Sequence, residues 1–159
     1  MTDDATFLAQ AVDLATANVA AGGGPFGALV ARDGLVVATG VNRVTRDLDP
    51  SAHAEVTAIR GAARAIGDFS LAGCALYTSC EPCPMCLATS LWARLDQVVF
   101  AADRHDAAKG GFDDLAFYDL FGTGDTGAEH WPTRVIGLRL DNAFAPFAAW
   151  LSKDDRTAY

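Results

Sequence analysis

Two short motifs, His53-Ala54-Glu55 and Pro82-Cys83-Pro84-Met85-Cys86, offer an imidazole, a carboxyl group and two thiols to one metal ion. His53, Cys83 and Cys86 would fill three corners of a tetrahedral Zn²⁺ and leave the fourth to water or substrate, the arrangement of a catalytic zinc rather than a structural one. Zinc brings the pKa of a bound water from about 15.7 to about 7. Glu55 is then the candidate base that takes the water's proton and returns it to a leaving group.

Other readings of the same residues compete. Cys80, Cys83 and Cys86 form a Cys-x-x-Cys-x-x-Cys run, which also opens iron–sulfur segments. Such a cluster needs a fourth thiolate, but no cysteine follows Cys86, and Cys74 falls in an expected strand. Cys83 and Cys86 as a redox dithiol leave His53 and Glu55 without a task. The plain alternative is that all of them are ordinary packed residues. Zinc accounts for the histidine, the glutamate and both thiols across the 30 residues (83 minus 53) between the motifs. Cys74 and Cys80 read as packed thiols.

The ligands must be positioned by helix ends. Ser51 can cap a helix running to about Ala65, and Pro82 and Pro84 suit the first turn of a second helix ending near Arg94. All three ligands then fall at helix N-termini, where free N–H groups and the helix dipole favour a thiolate. Residue periodicity predicts a helix over 6–20, strands over 26–31 and 35–41 joined at Asp33-Gly34, and a polar loop over 42–50. Further along it predicts strands over 75–78 and 98–101, a helix over 113–121, a loop over 122–127, a strand over 135–140 and a last helix over 143–150. Successive strand-to-helix units imply one α/β domain over residues 1–159, a mixed sheet with helices on both faces. Gly22-Gly23-Gly24 follows a helix and precedes a strand, the reverse of a dinucleotide-binding turn. It reads as a turn that brings Pro25 and Phe26 close to the site.

The chain resembles the zinc-dependent cytidine deaminase-like superfamily, whose signature is His-x-Glu with Pro-Cys-x-x-Cys. Within it, the chain is similar to bacterial guanine deaminases through Gly23-Gly24-Pro25-Phe26-Gly27-Ala28, Asn42, residues 49–56, residues 78–86, Trp92-Ala93-Arg94, Gly111-Phe112-Asp113-Asp114 and a terminal Tyr159. The resemblance implies a three-layer α/β/α fold with about five strands and one Zn²⁺ per chain. It implies hydrolysis of guanine to xanthine and ammonia, with Glu55 carrying protons first to N3 and then to the exocyclic nitrogen. It also implies that Asp114 selects guanine and supports proton transfer and that Asn42 hydrogen-bonds a base edge; Phe26 and Trp92 could pack against a flat ring, and Ala54 is a further candidate contact to the base. A homodimer is implied as well, with residues 143–159 crossing to the partner and Tyr159 closing its pocket. Residue type alone gives each an ordinary reading: Asn42 a turn residue, Phe26 and Trp92 core, Asp113 and Asp114 helix caps, Tyr159 a frayed end. His105 and His130 have no ligand partner at useful spacing and read as solvent-facing loop residues.

Charge and composition narrow the partners. A net charge of −8 argues against a nucleic-acid backbone as ligand, which disfavours adenosine in transfer RNA as the target. Cytosine, a triazine such as ammeline and a guanine nucleoside stay open as alternative substrates, and so does a non-catalytic, zinc-braced interaction module. Hydrophobic residues at 51% and charged residues at 20% are the balance of an ordered soluble domain. No apolar run approaches 18 residues, and Asp3 and Asp4 stand where a leader would be basic. A cytoplasmic location is expected, where thiols stay reduced.

Overall fold

The computed structural model describes residues 4–122 and 133–158. Among these residues five strands, β1 (Gly27–Arg32), β2 (Leu35–Val41), β3 (Ala75–Cys80), β4 (Gln97–Ala102) and β5 (Arg134–Gly137), form one sheet in the order β2-β1-β3-β4-β5. The pairs β1/β2 and β1/β3 are antiparallel, whereas β3/β4 and β4/β5 are parallel. The helices are α1 (Asp4–Ala20), α2 (Val44–Asp47), α3 (Ala54–Ile66), α4 (Pro84–Trp92), α5 (Arg104–Lys109), α6 (Leu115–Leu120) and α7 (Ala145–Leu151).

Alternation along β1 builds the layers. Leu29 and Ala31 pack with Leu8 and Val12 of α1 and Phe147 of α7, whereas Ala28 and Val30 pack with Ala58, Ile59 and Ala62 of α3. A strand apolar on both faces needs cover on both, and the expected α/β/α sandwich results. Asp33 (φ 51°) and Gly34 (φ 76°) make the hairpin turn, the left-handed pair that matches strand twist. Gly40 lets α3 lie directly on β2, because a Cβ there would sit 2.3 Å from the Ala54 carbonyl oxygen and 2.4 Å from the Ala58 nitrogen.

Topology gathers the chain's chemistry at one end. Both β2 and β3 run antiparallel to β1, so they are parallel to each other, and β4 follows β3. The carboxyl ends of β2, β3 and β4 and the start of β1 therefore share one edge of the sheet, the place where α/β folds bind ligands. Phe26, Asn42 and the segment 81–83 all leave the sheet there.

Several expectations are corrected. Ser51 does not cap α3: its N–H and hydroxyl both go to Asp49 Oδ1, and His53 holds the N-cap position. The polar loop over 42–50 contains the short helix α2, and His105 lies on α5 rather than in a loop, although it is exposed. Helices of four and six residues are too short to show apolar periodicity, and α5 is specified by a cap instead, with Asp103 accepting from the His105 and Asp106 N–H groups. The helix expected over 113–121 begins at Leu115, and the strand expected over 135–140 spans Arg134–Gly137. His130 and most of the 122–127 loop lie outside the described residues. No helix among the described residues is long and apolar enough to cross a membrane.

Candidate active site

His53 and Cys83 occupy the N-cap positions of α3 and α4, each with extended backbone, and Pro84 opens α4. An N-cap side chain faces the free N–H groups of the first turn, and the Cys83 sulfur takes the N–H of Cys86. His53 Nδ1 lies 3.6 Å from the Cys83 sulfur and 3.5 Å from that of Cys86. Zinc bond lengths of about 2.3 Å to sulfur and about 2.0–2.1 Å to nitrogen in a tetrahedron require a sulfur–nitrogen separation of about 3.5–3.6 Å. The donor set fits zinc in chemistry and in spacing. Among the described residues His53, Cys83 and Cys86 are the one group of three or more such side chains close enough to share a metal ion, and Cys74 and Cys80 are buried outside it.

The charges around this group suit a cation. A hydrogen bond from Cys86, joined by those from His53 and the Cys86 N–H and by the imidazole's charge, outweighs burial and brings the Cys83 thiol down to about 4. Cys86 stands well above the usual thiol range, through its hydrogen bond to Cys83 and its burial. Burial alone would lower His53, but the Cys83 hydrogen bond and the charges of Glu55, Cys83 and Asp114 raise it. Glu55 is 6% exposed. Burial pushes its carboxyl up to about 7, with the Cys83 charge adding and His53, a main-chain N–H and Cys86 opposing. A carboxyl near neutrality can both accept and deliver a proton.

His53, Glu55 and Cys83 face a cavity of about 320 Å³ whose lining also includes Phe26, Asn42 and Asp114. Asp114 takes the N-cap position of α6 but makes no side-chain cap bond, so its carboxylate is left to the cleft. Burial raises it, with the Cys83 charge in the same direction. Asn42 is buried, and its side-chain oxygen accepts from the Val44 N–H at 3.2 Å. Phe26 meets Phe112 edge-on at 4.9 Å, and both line the cavity. Ala54 is buried between His53 and Glu55 and lines no part of the cavity. Trp92 is also outside it, 77% exposed, with Arg94 stacked 5.8 Å from its ring. Tyr159 lies outside the described residues.

Sequence gives no warning of Asn18. From the end of α1 its buried amide donates to the carbonyls of Gly24 at 2.8 Å and Asn42 at 2.9 Å, tying together the two loops that carry Phe26 and Asn42. A Cβ on Gly23 would come 2.4 Å from this amide, so what the glycine turn accommodates is the Asn18 side chain. Glu81 also lines the cavity, with its carboxylate held by Arg104 at 2.6 Å.

An imidazole and two thiols beside a cleft and a buried carboxyl group, on an α/β/α sandwich, are the donor set that the catalytic zinc of a hydrolase would use. The sequence profile for the cytidine and deoxycytidylate deaminase zinc-binding region matches residues 1–102, and the chain belongs to that family. It is 47% identical over 155 residues to guanine deaminase of Bacillus subtilis, covering 97% of each chain. The X-ray structure of a Bacillus subtilis guanine deaminase superposes with a TM-score of 0.73 at 46% identity, covering 99% of both chains. A guanine deaminase from Nitrosomonas europaea superposes with a TM-score of 0.80 at 31% identity, over 92% of this chain and 84% of that one.

Proposed function

We propose that the chain hydrolyses guanine to xanthine and ammonia, with one Zn²⁺ held by His53, Cys83 and Cys86. The observation that carries this reading is the placing of Glu55 and Asp114 on one cavity with His53 and Cys83, in a chain that matches a guanine deaminase over 97% of its length. The ion, when bound, supplies the Lewis acidity that makes water a nucleophile near neutral pH. Glu55 takes one proton from the attacking water and delivers it to N3 of the base; once the oxygen has joined C2, Glu55 takes the remaining hydroxyl proton and passes it to the exocyclic nitrogen, so that the C2–N bond breaks, ammonia leaves and the C2 carbonyl of xanthine forms. Asp114 accepts the N–H donors of guanine's amidine edge, a pair that cytosine does not present. Phe26 packs on the ring and Asn42 meets a base edge with its amide. Ala54, Trp92 and Tyr159 belong to the same proposal; Ala54 and Trp92 are not among the residues lining the cavity, and Tyr159 lies outside the described residues.

A homodimer is part of the proposal. Apolar Phe117 and Phe121, 49% and 72% exposed, adjoin a second apolar hollow beside His53 and Asp114; α7 packs Phe147 on its own chain here, so exchange of residues 143–159 would put the partner's α7 in that place and bring the partner's tail to the hollow. A cytoplasmic location is part of the proposal, since the Cys83 and Cys86 thiols that would hold the metal stay reduced there.

Glu55→Gln separates chemistry from metal binding. The expected outcome is a loss of turnover on guanine of roughly 10²–10⁴-fold, with zinc content unchanged. A Glu55→Gln protein that releases ammonia at the parent rate would remove Glu55 from the mechanism.

A further inference from the structure

We propose that Tyr118 is a positioning residue of this site, pinning the segment that carries Asp114 to the strand exit that carries Cys83. Tyr118 is the only buried residue of α6, a helix of six residues. So short a helix has no stability of its own, and its place depends on that anchor. The Tyr118 hydroxyl lies 3.0 Å from the Pro82 carbonyl oxygen and 3.2 Å from that of Glu81, so its one proton faces the two residues immediately before Cys83. Arg104 closes the cluster, its guanidinium 3.8 Å from the centre of the Tyr118 ring. Its Nε and Nη2 donate to Glu81 Oε1 at 3.1 and 2.6 Å, and its main-chain N–H donates to Glu81 Oε2 at 2.8 Å. The exits of β3 and β4 and the start of α6 are thus joined through one phenol. Asp114 has no cap bond to fix its carboxylate, so the position of α6 sets where that carboxylate points.

The pin itself is independent of the substrate, and only its consequence for guanine rests on the function proposed above. Tyr118→Phe keeps the ring and removes the hydroxyl. In the zinc-loaded protein, amide hydrogen exchange over residues 114–122 is expected to rise about tenfold or more, as for the loss of a buried hydrogen bond, with zinc content unchanged. In a Glu55→Gln background, guanine binding measured by calorimetry is expected to weaken about tenfold on adding Tyr118→Phe. It should weaken no further when Asp114→Asn is already present, because residues acting as one unit are not additive. Unchanged exchange over 114–122 overturns the proposal, and so does a Tyr118→Phe effect on guanine that persists in full without Asp114. If Glu55→Gln binds no guanine at all, the functional reading fails and the exchange measurement alone decides the pin.

Discussion

At the scale of single residues, the cleft gathers acidic groups that few solvent molecules can screen. Glu55, Cys83 and Asp114 all line it, and beyond burial the Cys83 charge opposes the ionisation of both carboxyls. A bound cation resolves that conflict, which is why their convergence points to a metal as strongly as the ligand spacing does. Just behind the site the reverse arrangement holds. Burial would raise Asp106, but its hydrogen bonds with Arg139 and the Asp103 N–H, and the charges of Arg139 and Lys109, outweigh burial and hold the carboxyl below its usual range. A carboxyl depressed by folding contributes stability that is present above its unfolded pKa and is lost as pH falls through its folded one. The parent protein should therefore lose stability relative to Asp106→Asn as the pH drops below the ordinary aspartate value of 3.8. Near pH 7 the asparagine variant should be the weaker by about 1–2 kcal/mol. Urea titrations of both proteins across that range measure this, and equal differences at pH 7 and pH 3 would contradict it. The gathering of His53, Cys83 and Cys86 was legible in the chain because two rare residue types recur at helix starts. Asn18 and Tyr118 were not, because their partners lie 24 and 36 residues away and an amide or a phenol has many uses.

At the scale of elements, the site depends on how closely α3 and α4 approach the sheet. Gly40 is where β2 touches α3, and added side-chain atoms there meet helix backbone that cannot rotate away. Gly40→Ala is expected to destabilise by about 1–3 kcal/mol, as overpacking of a core does, and to weaken zinc binding by moving the His53 end of α3. Chemical denaturation together with a competitive zinc titration tests both halves, and parent-like values in the two would count against the packing account. Most elements follow from periodicity and turn residues: α1 from its apolar stripe, the β1–β2 hairpin from Asp33-Gly34, and α4 from Pro84. The short helices α2, α5 and α6 do not, since their ends are set by caps and tertiary anchors such as Asp103 and Tyr118. Asp114 shows how the local rule misleads, for it stands at a helix start without capping it, leaving its carboxylate to the cavity.

For the whole molecule, the sheet order places the carboxyl ends of β2, β3 and β4 beside the start of β1, so residues as distant as Phe26 and Asp114 reach one cavity. Sheet and layers could be expected from the succession of strands and helices, whereas the strand order and the closing of the cavity by the 112–118 segment come from long-range packing. The α7 residues Phe147 and Trp150 brace that wall through Phe26 and Phe112. The central claim joins this architecture to one reaction on one metal. It is tested most directly by stripping the protein with a chelator, restoring zinc in measured steps, and following ammonia release from guanine, guanosine, cytosine, adenine and ammeline. The account predicts that release from guanine is the fastest of the five, rises in proportion to zinc, and levels off at one ion per chain. Zinc bound to saturation with no release from guanine, or release that ignores the zinc added, would contradict it.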